Sequence, residues 1–274
     1  MMRNLSVSKM ESYLLCPLQF RYKYVDRIPQ VSVGILHAGI VVHEIVEFAL
    51  KDFARNGKYA DWKTLDDMFL PTWERKKAET EGKDTFIGWK WDVPEEQAKL
   101  RYRPLVKVAR EQALPKLRPW MLGDQPMVEH RLDLELKSEV GPFQLLGYID
   151  LLDESGILMD WKTSSKDEVS KRQKRLWLQF AGYSLYVWPI VGDEISHCQK
   201  IFLVPGTDPH VEWCDFHVGP AHRKYFVELA AEIWKSIHYG IYPAKNEGWH
   251  CSQDFCSFWG PCQGPLVGAS EASA

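Results

Sequence analysis

The stretch LLGYIDLLDESGILMDWKTSS (residues 145–165) predicts two β-strands joined by a tight turn, and each strand carries a carboxylate among apolar residues. Side chains alternate between the two faces of a strand, and this alternation runs over 142–153 and again over 157–163. Counting outward from the turn places Asp150 and Asp160 opposite each other. Asp160 and Lys162 share one face because they are two residues apart.

Two carboxylates held this close repel each other unless a cation compensates their charge. A divalent metal does so, and carboxylate oxygens with water suit Mg²⁺ or Mn²⁺. Lys162 beside them can hold a phosphate, orient or deprotonate a water, and offset charge in a transition state. The alternative is that all three residues are solvent-facing and Lys162 merely pairs with one carboxylate. The apolar flanks favour the metal site, because uncompensated charge on a buried strand is costly.

The remainder of the chain predicts helices before the hairpin, and a helix, two strands and a helix after it. Two helices are well marked, one starting at Ser6 and broken by Pro17, and one over 34–57 that ends at Gly57. Several short helices are expected over 60–120, and a first strand over 127–140. A helix over 171–190, strands over 197–206 and 210–218, and a helix near 220–239 follow. This order predicts an α/β (α+β) fold, with one mixed sheet flanked by helices.

The composition is that of a globular protein: 274 residues, 45% hydrophobic and 26% charged. The formal net charge of −3 excludes a globally basic nucleic-acid binder, so contacts with phosphates must come from a local patch. Apolar runs are too short for a membrane span and the first residues lack the apolar segment of a signal peptide. We therefore expect a cytoplasmic protein without a membrane partner.

The residue pattern resembles the PD-(D/E)XK nucleases, and within them the RecB-like branch. That branch carries Gly-x-x-Asp, a short hairpin and Asp/Glu-x-Lys, then Gln-x-x-x-Tyr on the next helix and a histidine on an earlier one. The proline that often precedes the first aspartate is replaced by Ile149. The matching residues are Gly147, Asp150, Asp160, Lys162, Gln179, Tyr183 and His43.

The resemblance implies a restriction-endonuclease-like sheet and a role for each of these side chains. The implied metal ligands are His43, Asp150, Asp160 and the backbone carbonyl of Trp161. Lys162 would be the catalytic lysine, and Gln179 and Tyr183 would position DNA or that lysine. An imidazole among oxygen ligands favours Mn²⁺ over Mg²⁺.

Two other residues near the predicted site leave its ligand set open. His37 is a nearby alternative to His43, and either can be an ordinary helix histidine. Glu129, at the start of the first strand, is an alternative as an outer carboxylate.

Cys251, Cys256 and Cys262 follow the last helix with the spacing C-x4-C-x5-C, which fits neither ferredoxin runs nor zinc modules. It resembles the iron-sulfur subset of the same nucleases, found in AddB-type recombination subunits and CRISPR-adaptation nucleases. That resemblance implies a 4Fe-4S cluster held by these three cysteines and Cys16. Zinc in the same four thiolates, or unliganded cysteines, are the alternatives. Cys198 and Cys214, on predicted strands, are expected to be buried as small apolar residues.

DNA is the partner that this resemblance implies, single-stranded or with free ends. The basic residues that can meet its phosphates, unless they form a solvated helix face, are Lys166, Lys171, Arg172, Lys174 and Arg175. Trp89 and Trp91 can stack on bases or pack in the core. No G-x-x-x-x-G-K-[ST] occurs, so any unwinding needs a helicase, recombination or CRISPR-adaptation partner.

The predicted organisation has five parts, with the catalytic hairpin inside the third. They are an N-terminal segment (1–33) with a cluster cysteine, a helical subdomain (34–126), the nuclease core (127–245), a cysteine-rich segment (246–263) and a disordered tail (264–274). The function predicted is a metal-dependent DNA exonuclease of repair, recombination, phage DNA processing or CRISPR adaptation. The alternative is a non-catalytic DNA-binding scaffold subunit that keeps the nuclease fold.

Overall fold

A mixed sheet of six strands forms the centre of the protein in a computed structural model, which describes residues 4–164, 177–191, 196–248 and 250–263. The strands are β1 (Asn4–Leu5), β2 (Gln30–Val33), β3 (Phe86–Lys90), β4 (Met121–Leu122), β5 (Gln125–Pro126), β6 (Val128–Ser138), β7 (Gly141–Leu152), β8 (Leu158–Thr163), β9 (His197–Val204) and β10 (His210–His217). The helices are α1 (Val7–Leu15), α2 (Pro17–Phe20), α3 (Gly34–Asn56), α4 (Trp62–Asp67), α5 (Phe69–Glu81), α6 (Glu95–Tyr102), α7 (Pro104–Val108), α8 (Trp177–Val191) and α9 (Pro220–His238). Single turns of π-helix follow α2 and α7.

The central sheet has the order β1-β7-β8-β9-β10. The sixth strand, β6, lies outside this order and also pairs with β7. Strands β6, β7 and β8 form the antiparallel meander that the alternating sequence predicts. Strands β9 and β10 are also antiparallel, whereas β9 lies parallel to β8. The short β1 pairs in parallel with β7. The fold class is therefore the predicted one, with a mixed sheet flanked by helices.

Two hydrophobic cores lie on opposite faces of this sheet. Helices α1, α8 and α9 cover one face, where Phe180 and Phe226 are fully buried. Helices α3 to α7 cover the other, around Ile45 and Trp73. The β7–β8 hairpin is thus enclosed between two helical layers, and side chains can reach it from both.

Helix α3 agrees closely with its prediction. It spans Gly34–Asn56, and Gly57 ends it in the left-handed conformation at φ 69°. Glycine adopts this conformation without the strain that a Cβ would bring. The first helix begins after Ser6, whose side chain accepts a hydrogen bond from the Lys9 amide, and it breaks before Pro17. Within the described residues, no helix has the length and apolar character needed to cross a membrane.

Candidate active site

Strands β7 and β8 separate at the two aspartates. Only Leu151–Met159 and Leu152–Leu158 pair across the hairpin. The next positions in register, Asp150 and Asp160, therefore lie where the strands diverge, and we call this point the fork. Asp150 Oδ2 accepts a hydrogen bond of 2.9 Å from the Trp161 amide. Since the amide and the carbonyl of a strand residue point to the same side, the Trp161 carbonyl also faces this fork.

The backbone opposite Asp150 is irregular. Val128 pairs with Leu151 and His130 with Ile149, which places Glu129 across from Asp150, and Glu129 has a φ of 48°. The left-handed conformation costs a residue other than glycine about 1–3 kcal/mol. The side chains of β7 also switch faces at this point. Ile149 packs in the core covered by α8, whereas Leu151, two residues later, packs in the core covered by α3. Glu129 thus lies beside the fork.

His43 reaches the fork from α3 and contacts the carboxylates of Asp150 and Glu129. Its Nε2 lies 3.0 Å from Asp150 Oδ2, and its Nδ1 lies 3.2 Å from Glu129 Oε1. Their donor atoms all lie within 4.8 Å of one another, which singles out this trio as a group able to hold a metal among the residues that the structure describes. One imidazole and two carboxylates are a donor set that suits Mn²⁺, Fe²⁺ or Zn²⁺, and also Mg²⁺ with added waters. The residues present therefore fit a divalent cation.

The charges in this trio perturb one another strongly. Burial disfavours the imidazolium of His43, but Asp150 and Glu129 outweigh it and raise the pKa of His43 to about 9. Burial, reinforced by the charge of Asp150 and opposed by His43, raises the pKa of Glu129 to about 7. A cation that binds here must therefore displace protons from both side chains near neutral pH.

Asp160 is fully buried and lies between two ammonium groups. Its Oδ2 is 3.3 Å from Lys162 Nζ and 3.1 Å from Lys200 Nζ. Burial disfavours the carboxylate, yet the charges of Lys162 and Lys200 outweigh it and lower the pKa of Asp160 to about 2. Desolvation of Lys162 is likewise outweighed by Asp160 and Asp150, which raise its pKa. Lys162 is thus a cation at neutral pH, and its side chain is 40% exposed.

Gln179 and Tyr183 enter from α8, one helical turn apart. Gln179 Nε2 donates hydrogen bonds to Asp160 Oδ1 at 2.5 Å and to the Tyr183 hydroxyl at 3.0 Å. Burial, with the charges of Asp150 and Asp160, raises the pKa of Tyr183, so its phenol stays neutral. In the structure Gln179 contacts the Asp160 carboxylate, and Tyr183 contacts Gln179.

His37 lies apart from the fork. It is buried among Trp73, Trp89 and Trp91, with ring-centroid distances of 4.6, 5.1 and 6.1 Å. Six residues separate it from His43, which is about 240° around a helix of about 3.6 residues per turn, so both cannot face the hairpin. These tryptophans pack around His37 and stack on one another, with Trp91 5.8 Å from Trp73 and 5.3 Å from Trp89.

A family profile described as the PD-(D/E)XK nuclease superfamily matches residues 4–263. The chain belongs to this superfamily. Its members are nucleases that use divalent metals, which agrees with the carboxylates and the histidine at the fork.

Solved structures match this PD-(D/E)XK protein at low identity. One is from Eubacterium rectale and is named, provisionally, an exonuclease. It has 15% identity and a TM-score of 0.52, and the match covers 91% of this chain and 87% of that one. SSO0001 matches with 12% identity and a TM-score of 0.44, over 96% of this chain and 87% of its own. A search of curated proteins finds no match.

The four cysteines of the predicted cluster line one cavity of the PD-(D/E)XK chain. Cys16 lies at the break between α1 and α2, and Phe258 of the cysteine-rich segment packs against Tyr22, with ring centroids 5.7 Å apart. The two ends of the described chain therefore meet here. Burial, and then the neighbouring cysteines, raise the pKa of Cys256 and of Cys262. Cys198 and Cys214 are buried in β9 and β10, as predicted.

The structure brings seven of the predicted site residues to one place, and it adds two. Those brought together are His43, Asp150, Asp160, Trp161, Lys162, Gln179 and Tyr183. Glu129, considered only as an outer carboxylate, contacts His43 directly, and Lys200 was not anticipated. The sequence signal for Lys200 is a charge directly before the apolar run 201–204. The basic residues between 166 and 175, and the tail from 264, lie outside the described residues.

Proposed function

We propose that this protein is a divalent-metal-dependent DNA exonuclease of the RecB-like branch that acts on single strands with a free end. The observation that carries the proposal is the fork at Asp150 and Asp160, with Lys162 beside it and His43, Gln179 and Tyr183 converging on it. The last three residues lie on two helices from opposite layers. Their convergence on the hairpin is more specific than a short D-x-K triplet alone.

The metal would be held by His43, Glu129 and Asp150, with Asp160 and the Trp161 carbonyl at the other side of the fork. When bound, it would supply positive charge to the scissile phosphate and to an attacking water. This set extends the ligands that the resemblance implies by Glu129, whose carboxylate contacts His43.

Lys162 has the charge and the access to act on the phosphate. The raised pKa keeps it protonated, so it would stabilise negative charge developing on the phosphoryl oxygens rather than take a proton from water. A bound divalent cation would lower that pKa by its own charge. Gln179 holds Asp160 at Oδ1, which fixes the plane of the carboxylate.

The test of catalysis and of substrate is a time course on end-labelled DNA with Mn²⁺ or Mg²⁺. We expect linear single strands to be shortened progressively and covalently closed single-stranded circles to survive. Cutting of circles would contradict an exonuclease. Lys162→Ala and Asp160→Ala are expected to abolish cleavage, and cleavage that persists in either variant would refute the assigned site.

A wild-type protein that binds DNA but does not cleave it, whichever divalent metal is supplied, would instead support the non-catalytic scaffold. His37→Ala is a suitable control for the active-site variants, because His37 is buried on the same helix but does not contact the fork.

We further propose that Cys16, Cys251, Cys256 and Cys262 hold a 4Fe-4S cluster, in line with a RecB-like, AddB-type nuclease. The support is their shared cavity at the meeting point of the chain ends.

The cluster is tested by iron, sulfide and zinc analysis of anaerobically purified protein, together with its visible absorption. We expect about four irons and four sulfides per chain, lost in Cys16→Ser and kept in Cys198→Ser. One zinc per chain, or no metal after anaerobic reconstitution, would refute the cluster. The biological role proposed is DNA repair, recombination, phage DNA processing or CRISPR adaptation, alongside a helicase or other partner protein.

A further inference from the structure

Lys200 is a lysine buried in the sheet next to the catalytic strand. Its side chain is 1% exposed, and β9 places it in parallel register beside Asp160 of β8. The neighbours on the same face of β9, Cys198 and Phe202, are fully buried. A lysine in such surroundings is costly unless its charge is paired and its hydrogen bonds are made.

Lys200 closes a ring of three side chains. Its Nζ lies 3.1 Å from Asp160 Oδ2 and donates a hydrogen bond of 2.9 Å to Gln179 Oε1. Gln179 in turn donates to Asp160 Oδ1 at 2.5 Å. Gln179 therefore holds Oδ1 of Asp160 by a hydrogen bond, while Lys200, itself bonded to Gln179, neutralises Oδ2 as an ion-pair partner. Such support from behind a catalytic group fixes its orientation.

Two ammonium groups share Asp160 Oδ2, and their surroundings differ. Lys162 Nζ is 3.3 Å from this oxygen, on a side chain that is 40% exposed. Lys200 is enclosed in the protein and cannot follow Lys162 toward solvent. If Lys162 turns to a phosphate at the fork, Asp160 still keeps one cation. Without Lys200, the same movement would leave a buried carboxylate with no ammonium partner, which is strongly unfavourable.

We propose that Lys200 is a positioning residue of the nuclease site, which balances the charge of Asp160 and holds its carboxylate so that Lys162 is free to serve the scissile phosphate. The inference rests on the proposed function. It assigns Lys200 no contact with DNA and no proton transfer.

The test is Lys200→Met, which keeps the length of the side chain and removes its charge. We expect kcat on single-stranded DNA to fall about 10- to 100-fold, the usual cost of losing such a supporting partner, while KM for DNA stays within about twofold. The control is Cys198→Ala, which loses packing on the same face of β9 but no contact with Asp160. It should be less stable and keep its kcat. A raised KM with unchanged kcat, or unchanged kinetics, would overturn the inference.

A second measurement covers the case in which Lys200→Met does not fold. In an Asp160→Asn background the carboxylate charge is absent, so Lys200→Met should destabilise that protein much less than it destabilises the wild type. Equal destabilisation in both backgrounds would overturn the inference. Lys200→Met should also keep one Mn²⁺ site in a titration followed by EPR, because His43, Glu129 and Asp150 are intact, and loss of that site would count against it. A wild-type protein without nuclease activity would refute the proposed function itself, and this inference with it.

Discussion

Raising the pH from 6 to 8 should tighten Mn²⁺ binding steeply, because the metal competes with protons on His43 and Glu129. With pKa values of about 9 for His43 and about 7 for Glu129, the metal-free site carries about 1.9 protons at pH 6 and about 1.0 at pH 8. Binding releases them, so the affinity rises with pH. Integrating the release over this range gives an increase of about a thousandfold, or about 4 kcal/mol.

Isothermal titration calorimetry in two buffers of different ionisation enthalpy measures this proton release directly. Glu129→Gln should lower the number of protons released to about one at pH 6. The number released should then be nearly the same at pH 6 and pH 8. His43→Ala should remove about one proton at pH 6. A release near zero at both pH values, with wild-type affinity in both variants, would refute the assignment of His43 and Glu129 as ligands.

Three further predictions concern stability and the cysteine cavity. Gly182→Ala should destabilise the protein by about 1–3 kcal/mol in urea unfolding, because a Cβ there would lie 2.7 Å from Phe226 Cζ in the packed α8–α9 interface. Gly147→Ala should be much milder, since its Cβ would meet Tyr183 at an ordinary 3.6 Å; equal costs would contradict this packing. His37→Ala should cost about 1–3 kcal/mol by leaving a cavity among the tryptophans but should not change Mn²⁺ affinity, and a weakened metal site would show that His37 matters there. Phe258→Ala should lower the melting temperature and loosen the cysteine-rich segment in limited proteolysis, because Phe258 is buried against Tyr22, and unchanged proteolysis would contradict that contact.

The hairpin and α3 could be predicted from the sequence because their signals are local. Alternation over the strands gave the register that sets Asp150 against Asp160, and Gly57 marked the end of α3. The pairings that involve β1, β2 and β3 were not predicted. These strands have two to five residues, too few for alternation to show, and depend on partners distant in the chain.

Glu129 and Lys200 could not be assigned because their roles depend on long-range geometry. The left-handed backbone conformation of Glu129 has no signature in the sequence, because neither a glutamate nor its neighbours there favour it. Lys200 becomes a neighbour of Asp160 only when β9 lies parallel to β8, a pairing that strand periodicity does not encode. The choice between His37 and His43 likewise depended on which face of α3 meets the sheet.

The most direct test of the site is single-turnover cleavage of end-labelled single-stranded DNA by Lys162→Met, measured together with its Mn²⁺ affinity. Lys162→Met keeps the carboxylates and His43, so we expect Mn²⁺ to bind at least as tightly as in the wild type while cleavage falls by at least about a hundredfold. Cleavage at the wild-type rate with bound Mn²⁺ would contradict the claim that the Asp150–Asp160 fork and Lys162 form a nuclease active site.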